Sequence, residues 1–123
     1  MSARRLSSPP RQERAALVGL VTGPARRVEA ERSLEELAGL ADAAGACVAL
    51  RMLQERPRPD PATYIGGGKV LTLAAACAEA DVDVVMFDSE LTPAQFRRLE
   101  DTLQRKIIDR TQLILDIFAR RAR

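Results

Sequence analysis

The chain has 123 residues, of which 46% are hydrophobic, 29% are charged and only 3% are aromatic, as expected for one soluble globular domain with an aliphatic core. The net charge of +2 is nearly balanced, which argues against a surface that is basic all over but leaves local basic patches open. The absence of histidine excludes Ser-His-Asp and Cys-His arrangements and argues against a zinc site.

Apolar runs of strand length alternate with segments of helical spacing along the chain. The first dozen residues are polar and contain the sequence SSPP, which predicts a disordered tail over 1–12. The predicted strands are 14–21, 47–54, 82–88 and 106–110. The predicted helices are 33–45, 68–80, 91–104 and 111–123.

This alternation, with short connections, predicts an α/β domain over residues 13–110 with a parallel sheet, right-handed crossovers and helices on both faces. The strands at 14–21 and 82–88 are the two most apolar of the four, as in strands covered on both faces, so they should be central. Arg51 in the second strand and the shortness of the fourth place those two at the edges. The predicted architecture is an open four-stranded sheet of order 2-1-3-4.

Two helix starts carry the capping-box pattern, in which a Ser or Thr side chain and a Gln or Glu three residues later satisfy free backbone N–H groups. Ser33 with Glu36 predicts one helix start, and Thr92 with Gln95 predicts another. Gly45 is expected to end the first helix in the left-handed conformation.

Cys47 and Cys77 lie in apolar segments without CxxC spacing, which predicts buried, reduced thiols in a cytosolic protein. No run of about 18 apolar residues is present, and the first residues lack the apolar centre of a signal peptide. The sequence therefore predicts a cytoplasmic protein that does not bind a membrane.

The stretch PATYIGGGKV at 61–70 invites comparison with a phosphate-binding loop. A P-loop needs Gly, four residues, then Gly-Lys-Ser/Thr between a strand and a helix. Thr63 stands at the first Gly position and Val70 at the hydroxyl position, so this stretch is not a P-loop. Two interpretations remain: Gly66, Gly67 and Gly68 let a long loop turn into a helix, or the helix start with Lys69 attracts a phosphate of an RNA backbone.

Charged residues near two strand ends are further candidates. Asp88 and Glu90 follow a central strand beside the topological switch point of the predicted sheet. They either cap the next helix or hold Mg²⁺ or a base edge. Arg51, Arg56 and Arg58 form a basic segment that either contacts phosphates or is simply solvated. No catalytic residue and no metal ligand is assigned.

The last predicted helix has an unusually broad apolar surface. Its apolar residues cover more of the circumference than one buried stripe needs, and they are Leu113, Ile114, Leu115, Ile117 and Phe118. Some of this surface should contact something other than the sheet. The sequence then ends in ARRAR with no C-cap, so we expect 111–123 to be the start of a truncated helical linker.

Several stretches taken together resemble the N-terminal region of the HflX family of ribosome-associated GTPases. They are SLEELAGLADAAGA, PATYIGGGKV, FDSELTPAQFRRLED and KIIDRTQLILDIFARRAR, in that order. The resemblance covers about residues 13 to 123. In that family an N-terminal α/β domain leads through a helical linker into a G domain, which carries the P-loop and is not represented here.

The resemblance implies that a full-length relative binds and hydrolyses GTP with Mg²⁺ and acts on the large ribosomal subunit in splitting or rescue. It implies ribosomal RNA, together with the linker and G domain in cis, as the partners of this domain, with no DNA and no membrane. This fragment alone should hold no cofactor. ATP binding has also been attributed to the N-terminal part of such proteins, although no residue here carries it.

The sequence departs from the family pattern at two positions, since Ser89 replaces a common acidic residue and Arg98 a common Asn. Both changes should alter surface contacts only. Three hypotheses follow: a ribosome-binding module without GTPase activity of its own, an ATP-binding or ATP-hydrolysing unit that uses Asp88 and Glu90, or an inert truncated fragment.

Overall fold

The computed structural model describes residues 12–23 and 26–121. Within them, strands and helices alternate as β1 Arg14–Val21, α1 Arg27–Ala43, β2 Cys47–Glu55, α2 Gly67–Glu79, β3 Val84–Phe87, α3 Pro93–Leu103, β4 Lys106–Asp109 and α4 Arg110–Arg121. Of the tail predicted over 1–12, only Gln12 is among the described residues. The last two residues of the helix predicted over 111–123 also lie outside the described residues.

The strands form one parallel sheet of order β2-β1-β3-β4, which confirms the predicted α/β fold and strand order. Val18 of β1 lies between Met52 on one side and Phe87 on the other. β3 is buried along its whole length, whereas every residue of β2 keeps some exposure. This difference is what central and edge positions require.

Alternate residues of β1 enter two separate cores, one on each face of the sheet. Val18 belongs to the core with Leu73 of α2 and Leu99 of α3. Leu17 belongs to the core with Leu37 of α1. All five side chains are fully buried, and burial of a side chain of this size contributes about 1.5–3 kcal/mol to folding.

The start of α1 differs from the prediction. The helix begins at Arg27, so Ser33 lies inside it, and the capping box predicted from Ser33 and Glu36 is wrong. Residues 27–32 are Arg, Val, Glu, Ala, Glu and Arg, mostly strong helix formers. Ala30 is buried one turn before Leu34, so tertiary packing extends the helix towards its N-terminus.

Two other local predictions are confirmed. At the start of α3, the Thr92 hydroxyl accepts a hydrogen bond from the Gln95 N–H, and the Gln95 side chain accepts one from the Thr92 N–H. Gly45 follows α1 with a φ of 87°, in the left-handed region that favours glycine.

The two cysteines are free thiols, but only Cys77 is fully buried, whereas Cys47 on the edge strand is partly exposed. The prediction of two buried thiols is thus correct for Cys77 alone. Burial raises the pKa of the Cys77 thiol. None of the helices in residues 12–23 and 26–121 is long and apolar enough to cross a membrane.

Candidate functional site

The loop between β2 and α2 is an ordered turn. The Asp60 carboxylate accepts hydrogen bonds from the N–H groups of Ala62 at 2.7 Å and Thr63 at 3.0 Å. Asp60 and Tyr64 also exchange two backbone hydrogen bonds, of 2.9 and 2.8 Å. The bonds from Ala62 and Thr63 lower the pKa of Asp60 below its ordinary value of 3.8. The loop therefore delivers the glycines in a defined position.

The chain reverses at Tyr64 and not at the glycines. Tyr64 has a φ of 66°, whereas Gly45 is the one glycine in the described part of the chain with a positive φ. The Tyr64 ring is buried and packs edge-on against Phe87, with ring centres 5.6 Å apart. This packing fixes a backbone conformation that an L-residue seldom adopts. The interpretation that the glycines make the turn is thus not what the structure shows.

Gly66 packs against the end of the Arg56 side chain, which would have to shift if a larger residue stood here. A side-chain carbon at this position would lie 2.8 Å from Nη1 of Arg56. The Gly66 N–H donates a 2.9 Å hydrogen bond to the side-chain oxygen of Gln54. Gly66 therefore lets the amino end of α2 and the Arg56 guanidinium approach each other closely.

Gly67 and Gly68, the first two residues of α2, have no neighbouring side chain of this kind among the described residues. A carbon added at either position would meet no heavy atom within 4 Å, and both residues are exposed. A glycine in a helix costs up to about 1 kcal/mol relative to alanine. Nothing in the described fold compensates for that cost.

The amino end of α2 is also open. The first hydrogen bond within the helix is donated by the Val70 N–H to the Gly66 carbonyl, and no side chain caps the helix. The N–H groups of Gly67, Gly68 and Lys69 have no acceptor among the described residues, so this end carries partial positive charge. Such an end attracts anions, phosphate included.

Three of the cations predicted from the sequence lie near this end. The Arg56 side chain packs on Gly66, donates from Nε to the Arg58 carbonyl at 3.2 Å and lies 3.9 Å from the Asp60 carboxylate. Arg58 and Lys69 form no ion pair with another described residue. Their charges are therefore available to a partner.

A further cation, Arg98, was missed as a site residue. Arg98 of α3 lines a groove of about 310 Å³ together with Thr63, Gly67 and Thr102. In the sequence, Arg98 stood out merely as a departure from the family pattern. Its position beside Gly67 depends on how α3 packs on α2, and no local sequence signal reports that. We call the surface formed by Gly67, Gly68, Lys69 and Arg98, together with Arg56 and Arg58 of the preceding loop, the glycine face.

The structure separates Arg51 from this surface. Arg51 pairs with Leu17 in the sheet register, so its side chain lies on the face that α1 covers. There it donates a 2.6 Å hydrogen bond to Glu35 of α1. Arg51 thus lies on the face opposite α2 and α3, and its charge is already paired.

The switch point contains an ion-pair network. The Asp88 carboxylate, only 8% exposed, accepts a 2.7 Å hydrogen bond from Nη1 of Arg110. The same guanidinium donates to Glu36 at 2.9 Å and to the Ser33 hydroxyl at 3.1 Å. Burial alone would lower the pKa of Arg110, but the hydrogen bonds with Asp88 and Glu36 outweigh burial and raise that pKa.

The switch-point acids do not cap α3. The carboxylate beside α3 is that of Asp109, which is buried and accepts from the Leu91 N–H at 3.0 Å. Asp109 also accepts from the Gln112 N–H at 3.0 Å and so caps α4. Its Asp-x-x-Gln spacing is a capping pattern that the sequence offered and that we missed. Glu90 is exposed.

A polar pocket of about 290 Å³ lies at the switch point and is lined by Thr22, Ser33, Tyr64, Asp88 and Ser89 among others. The Tyr64 hydroxyl donates a 3.0 Å hydrogen bond to the Ser89 hydroxyl. Burial raises the pKa of Tyr64. Among the described residues, no group of three or more Cys, Asp or Glu side chains could hold a metal ion. A cation bound at Asp88 would have to compete with Arg110.

Comparison with known proteins decides the family. The family model described as GTP-binding GTPase N-terminal matches residues 31–119, which include the whole glycine face and the Asp88 network. The chain belongs to this family. The resemblance drawn from the four sequence stretches is thereby confirmed, and the chain corresponds to the N-terminal domain of an HflX-type GTPase.

Curated relatives agree with this assignment. GTPase HflX of Lacrimispora saccharolytica is 43% identical over 111 residues, which are 90% of this chain and 26% of the relative. GTPase HflX of Caldanaerobacter subterraneus is 45% identical over 112 residues, which are 91% of this chain and 25% of the relative. The chain thus spans about a quarter of the length of these relatives.

A solved structure supports the fold of this GTP-binding GTPase N-terminal domain. A GTP-binding protein from the hyperthermophilic archaeon Sulfolobus solfataricus, in complex with GDP, superposes with a TM-score of 0.61 at 21% identity. The match covers 88% of this chain and 30% of that one. At this identity the likeness concerns the fold alone.

Proposed function

We propose that this chain is the ribosome-binding N-terminal module of an HflX-type GTPase and contacts ribosomal RNA of the large subunit in ribosome splitting or rescue. Hydrolysis of GTP, with Mg²⁺, belongs in this proposal to the G domain of the full-length protein. The chain itself acts as a binding module and not as an enzyme. The family assignment and the glycine face support this proposal.

The observation that carries the proposal is the pair Gly67 and Gly68. Both are exposed, neither has a positive φ, and neither contacts another element that would exclude a side chain. Because glycine lowers helix stability, their presence is best explained by a partner that approaches the backbone closely. The free N–H groups there suit the oxygens of a phosphate.

The charges around the glycines fit the same partner. Lys69 lies in the first turn of α2, Arg98 lines the groove beside Gly67, and the Arg58 carbonyl accepts from Arg56 next to Gly66. The described residues pair none of Lys69, Arg58 and Arg98 in a salt bridge. Cations that neutralise phosphates release counterions, so binding of this kind weakens as salt rises. The overall charge of +2 is too small to produce such binding without a local patch.

The test is a triple substitution of Lys69, Arg56 and Arg58 to Ala, measured as the affinity for purified large ribosomal subunits across a salt series. Each lost phosphate contact should lower the slope of log affinity against log salt by about 0.7 to 0.9. We expect the slope to decrease by about two in the triple variant. Arg51→Ala is the matched control because its charge lies on the other face, in a pair with Glu35.

Two results would contradict this account. An unchanged slope in the triple variant would remove these cations from the interface. If the salt slope fell equally per removed charge in Arg51→Ala and in the triple variant, the total charge of the domain would determine the affinity and not the glycine face.

The pocket at the switch point favours a second function, the binding or hydrolysis of ATP, since open α/β sheets place ligands at this point. The pairing of Asp88 with Arg110 argues against a role for Asp88 in holding Mg²⁺. ATP binding and turnover should be measured in the double variant Asp88→Asn and Glu90→Gln. Loss of both would support this function, and turnover that survives would exclude these acids.

We also propose that the exposed side of α4 contacts the rest of the GTPase. Leu115 and Phe118 are 60% and 65% exposed, whereas Leu113 on the opposite side is buried. Adjacent large apolar side chains with this exposure favour a protein contact. Because the relatives are about four times as long as this chain, residues outside it are the proposed occupants.

A further inference from the structure

Arg110 is the first residue of α4, and its side chain reaches two other parts of the domain. Its guanidinium binds Asp88 at 2.7 Å in the loop after β3, and Glu36 and Ser33 at 2.9 and 3.1 Å in α1. The side chain is 26% exposed and Asp88 is 8% exposed. The charge-assisted hydrogen bond to Asp88 is therefore stronger than that of a surface pair, whereas Glu36 is 60% exposed and its bond to Arg110 contributes less.

The rest of α4 is held weakly. Leu113 is its single buried residue among those described, and Ile117 packs in part against the same core. Leu115 and Phe118 face away. The second half of the helix thus contributes no fully buried side chain among the described residues, and it contacts the rest of the domain through Ile117 and through Arg120, whose guanidinium lies near Gly45.

We propose that Arg110 is a clamp that holds α4 against α1, and that withdrawal of Asp88 from this clamp releases α4 while the sheet stays folded. Asp88 links the switch-point pocket to the clamp, because Asp88 lines the pocket and its carboxylate accepts a hydrogen bond from Arg110. A group that takes Asp88 away from Arg110 therefore weakens the hold on α4. This inference concerns the direction of α4 and does not depend on RNA binding.

The experiment is hydrogen exchange followed by mass spectrometry on the full chain and on Arg110→Gln. Loss of the charge-assisted bonds should speed exchange in residues 114–121 by about 10- to 100-fold. Exchange in β1 and β3 should stay within about twofold of the unsubstituted chain. Arg51→Gln is the control, since it breaks an exposed ion pair to the same helix α1 and should leave α4 unchanged.

Two further variants keep the test decisive. Arg110→Lys retains the charge but cannot bridge several acceptors as a guanidinium does, so α4 should exchange at an intermediate rate. Asp88→Asn tests the link to the pocket and should release α4 less than Arg110→Gln does, because Glu36 remains as a partner.

The inference is overturned in any of three ways. Exchange in α4 that does not change in Arg110→Gln would show that the clamp does not hold the helix. An equal increase in β1, β3 and α4 would show that Arg110 stabilises the whole fold and not the position of one helix. Exchange at the unsubstituted rate in Asp88→Asn would break the proposed link between pocket and helix.

Discussion

Substitution of Gly67 and Gly68 by alanine should make the domain more stable and its RNA binding weaker. These two effects have opposite signs because the fold does not need either glycine, whereas the proposed partner does. A substitution that damaged the fold would lower both quantities. The pair of measurements therefore distinguishes a contact site from a structural site.

The size of the stability gain follows from the structure. The new methyl groups would meet no atom within 4 Å, and the backbone at both positions is suitable for alanine. Each Gly→Ala change should then add about 0.4–1 kcal/mol to the free energy of unfolding. The double variant should gain about 1–2 kcal/mol, which raises the Tm of a domain of this size by roughly 4 to 8 °C.

Binding should change in the other direction. Two methyl groups on the open end of α2 would push a phosphate away from the N–H groups of residues 67–69. We expect an affinity for large ribosomal subunits that is about tenfold lower, or about 1.4 kcal/mol. The assays are urea unfolding for stability and co-sedimentation at fixed salt for affinity.

Gly39→Ala is the matched control. Gly39 is exposed in α1, and a carbon added there would also meet nothing within 4 Å. It should gain similar stability with unchanged affinity. Our reasoning is refuted if the variant at 67 and 68 becomes more stable and still binds fully, since the glycines would then have no role at an interface. Lower stability would refute our account of the helix start.

Further predictions concern the frame around the site. Asp109→Ala should lower the free energy of unfolding by about 2–4 kcal/mol in urea, because it removes a helix cap and leaves a buried N–H without an acceptor. Asp101→Ala, at an exposed position of α3, should change it by no more than about 0.5 kcal/mol. Similar losses in the two variants would contradict this role of Asp109. The pKa of Asp60 is lowered in the folded state, so ionised Asp60 stabilises the fold above about pH 3.9, and this stabilisation is lost as the pH falls through the folded-state pKa. Asp60→Asn should therefore flatten the acid-induced loss of stability. An unchanged pH profile of stability would count against the ordered loop. Replacing Leu115 and Phe118 by Ser should change the free energy of unfolding by less than about 1 kcal/mol, because both side chains are exposed in this chain. A larger loss in urea unfolding would show that they pack within the domain.

Much of the fold could be predicted because single strands carry strong signals. The run 14–21 is apolar at every position after Arg14, which is typical of a strand covered on both faces. Arg51 in the middle of the strand at 47–54 marked an edge in the same way. Together with the apolar run at 82–88 and the shortness of 106–110, these observations led to the strand order, since the crossovers leave few alternatives.

The helix starts were predicted less well because capping patterns compete with one another. Ser33 and Glu36 formed a valid capping box in the sequence, yet the helix formers at 27–32 and the burial of Ala30 extended the helix past it. The true pair, Asp109 with Gln112, was overlooked because residues 106–110 were assigned to a strand. A cap can be chosen correctly once tertiary contacts show where the helix begins.

The candidate site depends on tertiary packing even more strongly. Lys69 and the glycines are adjacent in sequence and could be selected together. The position of Arg98 beside Gly67 follows from the packing of α3 on α2, and the pairing of Asp88 with Arg110 joins residues 22 positions apart. Alternation along the strand, with Leu50 and Met52 on one face, predicts Arg51 on the other, and the pairing of Arg51 with Leu17 agrees.

The most direct test of the account is co-sedimentation of this chain with purified large ribosomal subunits over a salt series, with small subunits as the control. Measurements with GTP, with ATP and without nucleotide complete the design. We predict binding to large subunits that needs no nucleotide and falls steeply as salt rises. No binding to large subunits even at low salt would contradict the proposal, and the affinity of HflX-type GTPases for their partner would then have to come from residues outside this domain.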